Sequence, residues 1–155
     1  MNDGAVAGTN GDEGFHLGRL ARAGVAIIVF GFFVFVIGIF PSLINLDITP
    51  GIGIFQIFVA LVGITFMTLG AYVYMYTTRH PEAPRRLRHG IGLRLMATGL
   101  VFAYAAGLAD VLGIGSHPAT PLTRPYFGEW QAAGVVLGVI LIVAGILLYS
   151  QRPKG

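Results

Sequence analysis

The sequence contains no cysteine. Disulfides, zinc–thiolate centres and iron–sulfur clusters held by this chain alone are therefore excluded. Charge is the second scarcity. Only 11% of the 155 residues are Asp, Glu, Lys or Arg, against roughly 25% in a soluble domain. Too little polar surface remains to coat a water-soluble globule. The few charges are also bunched: none falls in Ala23–Leu46, Ile48–Thr78, Leu95–Ala109 or Trp130–Gln151. Catalytic signatures are missing as well, with no Gly-x-Ser-x-Gly, no His-Glu-x-x-His and no phosphate loop. Gly51-Ile52-Gly53-Ile54-Phe55-Gln56 supplies two glycines of a dinucleotide fingerprint but lacks the third and follows no strand. His16, His80, His89 and His117 lie outside or at the ends of the apolar runs. None is placed at mid-depth to ligate a haem, and no cofactor or metal is expected. The pI near 9.6 does not indicate nucleic acid, because no long Lys/Arg tract interleaves with aromatics.

What the chain does have is apolar length. About 20 residues of helix cross a hydrocarbon core of about 30 Å. Spans are expected at about 20–40, 51–77, 92–114 and 129–150. The third reaches span length only by continuing past Asp110. Pro41 closes the first span, and Thr49-Pro50 is the expected cap and first turn of the second. Pro81 and Pro84 lie in the middle linker, and Pro118, Pro121 and Pro125 mark an irregular loop before the fourth span. Residues 1–14, rich in Gly, Asn and Asp, read as a disordered cytoplasmic tail, leaving 15–155 as one four-helix transmembrane domain.

Orientation follows from the basic residues. Arg19, Arg22, Arg79, Arg85, Arg86, Arg88, Arg94, Arg152 and Lys154 would share one side, and Arg124 alone the other. Positive residues stay cytoplasmic, so both termini and the middle loop are expected inside a cell membrane crossed four times. Trp130, Tyr126, Tyr74, Tyr76 and Tyr149 fall near span ends, as an aromatic belt would have it.

An internal repeat organises the four spans. At an offset of 75 residues the halves, about 15–79 and 90–154, align without a gap. Arg19-Leu20 meets Arg94-Leu95, Gly24 meets Gly99, and Val36, Gly38 and Ile39 meet Val111, Gly113 and Ile114. Pro50, Gly53, Gln56, Gly63, Gly70 and Tyr74 meet Pro125, Gly128, Gln131, Gly138, Gly145 and Tyr149. These are twelve identities over residues 19–74, where composition alone gives roughly four or five. The expected fold is all-α: a left-handed bundle of two parallel-repeat hairpins related by an axis along the membrane normal.

Small residues recur every seven positions within the spans: Gly24, Gly31 and Gly38; Gly63 and Gly70; Gly92, Gly99, Ala106 and Gly113; Gly138 and Gly145. A seven-residue period keeps one face toward a neighbour. In lipid, close backbone approach at small residues supplies the contact that a hydrophobic force would supply in water. These stripes are expected to face inward. Gly134 and Gly138 form a GxxxG pair that is a candidate contact for a second copy.

Candidate polar positions cluster on the expected outer side. Gln56 and Gln131 sit about one turn inside equivalent span ends and are candidates to hydrogen-bond across the repeat or to a ligand. Asp110, Arg124 and Glu129 interrupt the repeat, facing Phe35, Thr49 and Ile54 in the alignment. With His117 they form a candidate outer-facing ligand site, since charged groups within a membrane are costly. Arg85, Arg86 and Arg88 are expected to contact anionic headgroups in the 79–94 loop. The functional expectation is a non-catalytic accessory, scaffold or assembly subunit that binds other membrane subunits or itself. A small transporter or channel, and a quinone- or lipid-binding redox accessory protein, are the alternatives.

Overall fold

The computed structural model describes residues 7–41, 53–78, 87–114 and 128–151, with side-chain surroundings from Leu17 onward. Four helices make up the described residues: α1 (Ala7–Ile39), α2 (Ile54–Thr77), α3 (Leu87–Gly107) and α4 (Glu129–Ser150), with no strand among them. Each is long and apolar enough to span a membrane, α1 through its portion Leu17–Ile39. A helix satisfies every backbone donor and acceptor within its own segment, so it is the element an uninterrupted apolar run adopts in lipid.

Two helix starts differ from the sequence expectation. The first helix begins at Ala7, so the last residues of the segment read as a tail are helical. Extending a nucleated helix fixes one residue per added hydrogen bond, which costs far less than nucleation. The second helix begins at Ile54 with Gly53 as its N-cap, and Thr49-Pro50 lies outside the described residues.

The helices pair in sequence order, α1 with α2 and α3 with α4, as antiparallel hairpins. Glycines make both pairings close. A Cβ added at Gly24 would lie 3.0 Å from the Gly70 carbonyl oxygen, and one at Gly31 would lie 2.8 Å from that of Gly63. In the second hairpin a Cβ at Gly92 would lie 2.7 Å from the Gly145 oxygen, and one at Gly99 would lie 2.6 Å from that of Gly138. Any side chain at these crossings would drive backbone from backbone. Bare Cα atoms instead face carbonyls at a range where weak Cα–H···O contacts add about 0.5–1 kcal/mol each.

These pairs correct the repeat register. On the second helix of each hairpin, Gly63 and Gly70 correspond to Gly138 and Gly145, the offset of 75 read from sequence. On the first helix, however, Gly24 and Gly31 correspond in space to Gly92 and Gly99, an offset of 68. Neighbouring contacts agree: Gly63 abuts Phe35 as Gly138 abuts Ala103, and Gly70 abuts Ile28 as Gly145 abuts Met96. The helix ends agree too, since α1 stops at Ile39 and α3 at Gly107. Fourteen residues separate α1 from α2, and twenty-one separate α3 from α4. The extra heptad of the second hairpin therefore sits in its connection, and α3 is displaced by one heptad from the ungapped alignment.

Gly113 departs from the stripe for the same reason. A Cβ there would meet nothing within 4 Å, and its φ is +72°. The Ile114 N–H donates to the Ala109 carbonyl at 2.9 Å and the Gly113 N–H to the Asp110 carbonyl at 3.3 Å. This is a Schellman close, in which a glycine takes the left-handed conformation just past the last helical turn. Gly113 is thus a stop for the turns that follow α3, not a packing position.

The hairpins meet through α2. Ile57, Leu61 and Ile64 of α2 form a buried core with Ala103 of α3 and Ile142 of α4. Leu61 and Ala103 are 1% and 0% exposed, so this interface excludes all other contact. The first helix meets the rest of the molecule mainly through α2, leaving Val25, Val29, Phe30, Phe32 and Phe33 exposed. The expected common inward seam is instead two seams, one inside each hairpin, while larger side chains fill the space between hairpins.

Candidate functional site

The α1–α2 and α3–α4 connections share one end of the molecule, here the loop end, where most of the candidate polar residues were expected. Gln56 and Gln131 have the same local task there. The Gly53 N–H donates to Gln56 Oε1 at 3.0 Å, and the Gly128 N–H donates to Gln131 Oε1 at 3.0 Å. Each glutamine, at the third helical position, reaches back to the N-cap N–H, which is the glutamine half of a capping box. The expected bond across the repeat is replaced by this local one, because a helix N-terminus leaves donors that need acceptors when water is scarce. Gln131 is buried and Gln56 only partly so.

The other outer candidates do not converge among the described residues. Asp110 lies half-buried in the turns after α3, and Glu129 is the exposed first residue of α4. Glu129 there faces the positive end of the helix dipole, a favourable position for a carboxylate. His117 and Arg124 lie outside the described residues, as do Arg85 and Arg86. No group of three His, Cys, Asp or Glu side chains suited to a metal occurs among the described residues. Arg88 is exposed at the start of α3.

An apolar groove of about 410 Å³ opens at the loop end between α1, α2 and α4. Its walls include Phe35 and Gly38 of α1, Ala60 and Ile64 of α2, and Val136 and Val139 of α4, with Gln56 its polar residue. It exists because α1 packs on α2 and stands away from α4. Its volume lies within the range of about 300–1,000 Å³ usual for small-molecule sites.

Two polar contacts that the sequence reading missed tie the hairpins together. Thr65 Oγ1 lies 2.9 Å from the Tyr104 hydroxyl and 2.9 Å from the Leu61 carbonyl oxygen. The Thr65 hydroxyl has one hydrogen, which goes to Leu61, so Tyr104 donates to Thr65. A tyrosine midway along an otherwise apolar run was the available signal, since a buried hydroxyl needs a partner. At the opposite end the rings of Tyr72, Tyr149 and His89 stack edge to face, with centroids 6.0 Å apart for Tyr72–Tyr149 and 5.2 Å for His89–Tyr149. His89 Nδ1 is buried without a hydrogen-bond partner among the described residues. Gly134 does not lie open for a second copy: a Cβ there would meet the Ala106 Cβ at 2.5 Å, inside the second hairpin.

The geometry holds packing and capping groups, an apolar groove and no assembled reactive cluster among the described residues. Comparison with known proteins adds no family to this picture: no protein-family model, no curated protein and no solved structure matches the chain.

Proposed function

We propose that this protein is a non-catalytic four-span membrane subunit, acting as an accessory, scaffold or assembly factor through contacts with other membrane proteins. The observation that carries this reading is how its polar groups are used. Gln56, Gln131, Thr65 and Tyr104 are engaged in capping helices or joining hairpins. A channel or transporter needs polar groups facing a path, whereas the centre between these hairpins is filled by Leu61, Ala103 and Ile142. The exposed aromatic face of α1, with Phe30, Phe32 and Phe33, is available for lipid or a neighbouring subunit.

In this reading both termini and the 79–94 linker face the cytoplasm, supported by nine of ten basic residues falling on that side. The basic linker, with Arg85, Arg86 and Arg88, contacts anionic headgroups. The heptad spacing of the paired glycines supports a left-handed crossing within each hairpin. Affinity purification from native membranes in mild detergent is the test. A membrane protein recovered in fixed ratio is the expected result, and recovery of the chain alone in every detergent and in nanodiscs would overturn the proposal. Reporter fusions at residues 45 and 120 should read as external.

The apolar groove favours a second reading, lipid binding, which is compatible with the first and is developed next.

A further inference from the structure

We infer that the groove between α1, α2 and α4 seats one acyl chain of a membrane phospholipid, with Gln56 binding its ester carbonyl. The inference rests on the membrane-spanning part of the proposed function and not on the identity of any partner.

Three observations converge. The first is chemical. The Gly53 N–H is a donor, so the atom of Gln56 facing it must be the amide oxygen. The Nε2 group therefore keeps both its hydrogens, and no acceptor among the described residues takes them. Gln56 lines the groove, so its free donors sit beside an apolar slot. Such an arrangement suits an apolar chain with an acceptor at one end.

The second is length. Along α2 the groove runs from Gln56 to Ile64. Eight residues of helix cover about 12 Å, close to one leaflet's share, about 15 Å, of the hydrocarbon core. Gln56 is the third residue of α2, which places its amide near the boundary of that core. Phospholipid ester carbonyls lie at this boundary. An acyl chain entering there would run along the groove for most of the leaflet.

The third is the contrast with Gln131. It caps α4 in the same way but is buried and lines no groove. The cap needs only the oxygen of each glutamine, so exposure of the amide nitrogen is particular to Gln56. The side walls are aliphatic, with Val136 and Val139 opposite Ala60 and Gly38. That favours a flexible saturated chain over a flat quinone ring, which would call for aromatic walls.

The test uses the full chain in nanodiscs containing a phosphatidylcholine with a diazirine in its acyl chain. After photolysis, mass spectrometry maps the labelled residues. Labelling should concentrate on Phe35, Val136 and Val139 over the exposed Phe33 and Val101. Val136→Trp fills the groove from a position that is 57% exposed, so the fold tolerates it. Label on the groove residues should vanish in that variant. Ile140→Trp, at a wall position 56% exposed, is the second variant should the first not fold. Gln56→Glu keeps the capping oxygen and removes the donors, and should lower groove labelling about fivefold, the worth of one net hydrogen bond.

Uniform labelling of exposed faces that neither tryptophan variant changes would overturn the inference. So would displacement of the label by a long-chain quinone at equal stoichiometry, which would make the occupant a quinone. A dimer in native mass spectra that is lost with Val136→Trp would show a second copy in the groove instead. Release of the protein from membranes by alkaline carbonate would refute the membrane reading itself, a result separate from all of these.

Discussion

The two hairpins share one packing device and differ by one heptad. In each, two glycine pairs bring the helices into backbone contact: Gly24–Gly70 and Gly31–Gly63 in the first, Gly92–Gly145 and Gly99–Gly138 in the second. The second helices, α2 and α4, are related by the repeat as read from sequence, down to the glutamine that caps each. The first helices are not, because α3 has slipped by seven residues against α1 and the connection to α4 has lengthened to match. The comparison teaches that a heptad stripe sets the face of contact but not the level. Any shift by seven returns small residues to small residues.

The hairpins also differ in what they bury. The second packs both its helices against α2, whereas the first offers only α2 and leaves α1 at the side. The groove follows from that asymmetry, as does the unequal burial of Gln56 and Gln131. Breaking the glycine seams should therefore damage both hairpins alike, while changes at the caps and at the hairpin interface should separate them.

The largest effect is expected from Gly63→Leu and Gly138→Leu. A Cβ at these positions would lie 2.5 Å from the Phe35 nitrogen and 2.8 Å from the Ala103 nitrogen, respectively. Neither backbone can yield without opening the hairpin. Each variant should lose about 3 kcal/mol or more, at the upper end for overpacking, seen as loss of the folded species in thermal unfolding in detergent. Gly113→Ala should cost only about 1 kcal/mol, because it strains a left-handed turn and meets no neighbour. Equal losses at Gly38 and Gly113 would argue for the offset of 75 throughout.

The register is also open to direct crosslinking, since the chain has no native cysteine to confuse it. Cysteines at positions 106 and 134 should form a disulfide on oxidation, after the helices part by about an ångström to reach bonding geometry. Cysteines at 113 and 134, neighbours under the ungapped alignment, should not. The opposite result would restore the alignment read from sequence.

Next in size are the caps. Gln131→Leu removes the acceptor of the Gly128 N–H from a buried place and should cost about 1–2 kcal/mol. Gln56→Leu should cost less, because the donor it frees lies nearer to solvent or headgroups. Thermal unfolding of the two variants side by side compares the hairpins at equivalent positions. The smallest effect belongs to Tyr104→Phe, which deletes the bond to Thr65 between hairpins. Polar contacts between helices in membranes average about 0.6 kcal/mol, so a small fall in melting temperature is expected, with no further loss in the double variant with Thr65→Val.

Much of the fold was legible in the residues. Charge-free runs marked four spans, and the seven-residue glycine spacing marked which faces approach closely. The capping glutamines were noticed as a matched pair, but their roles were not readable. A glutamine near a span end serves a cap, a neighbour or a ligand equally well on paper, and only the 3.0 Å contacts to Gly53 and Gly128 decide. The Thr65–Tyr104 bond joins residues 39 apart in sequence, a pairing that no local pattern encodes.

By itself, then, the sequence determined the number of helices, their apolar character and the faces they turn to their partners. Those properties depend on composition and period, which a single segment carries within itself. Tertiary structure alone decided the level at which α3 meets α4, the conversion of Gly113 from packing residue to helix stop, and the gap between α1 and α4. Each of these depends on where one helix lies along another, and a stripe repeating every seven residues is nearly unchanged by a slide of seven. The choice among such registers falls to side-chain fit at positions distant in the chain, such as Leu61 against Ala103 and Gly107.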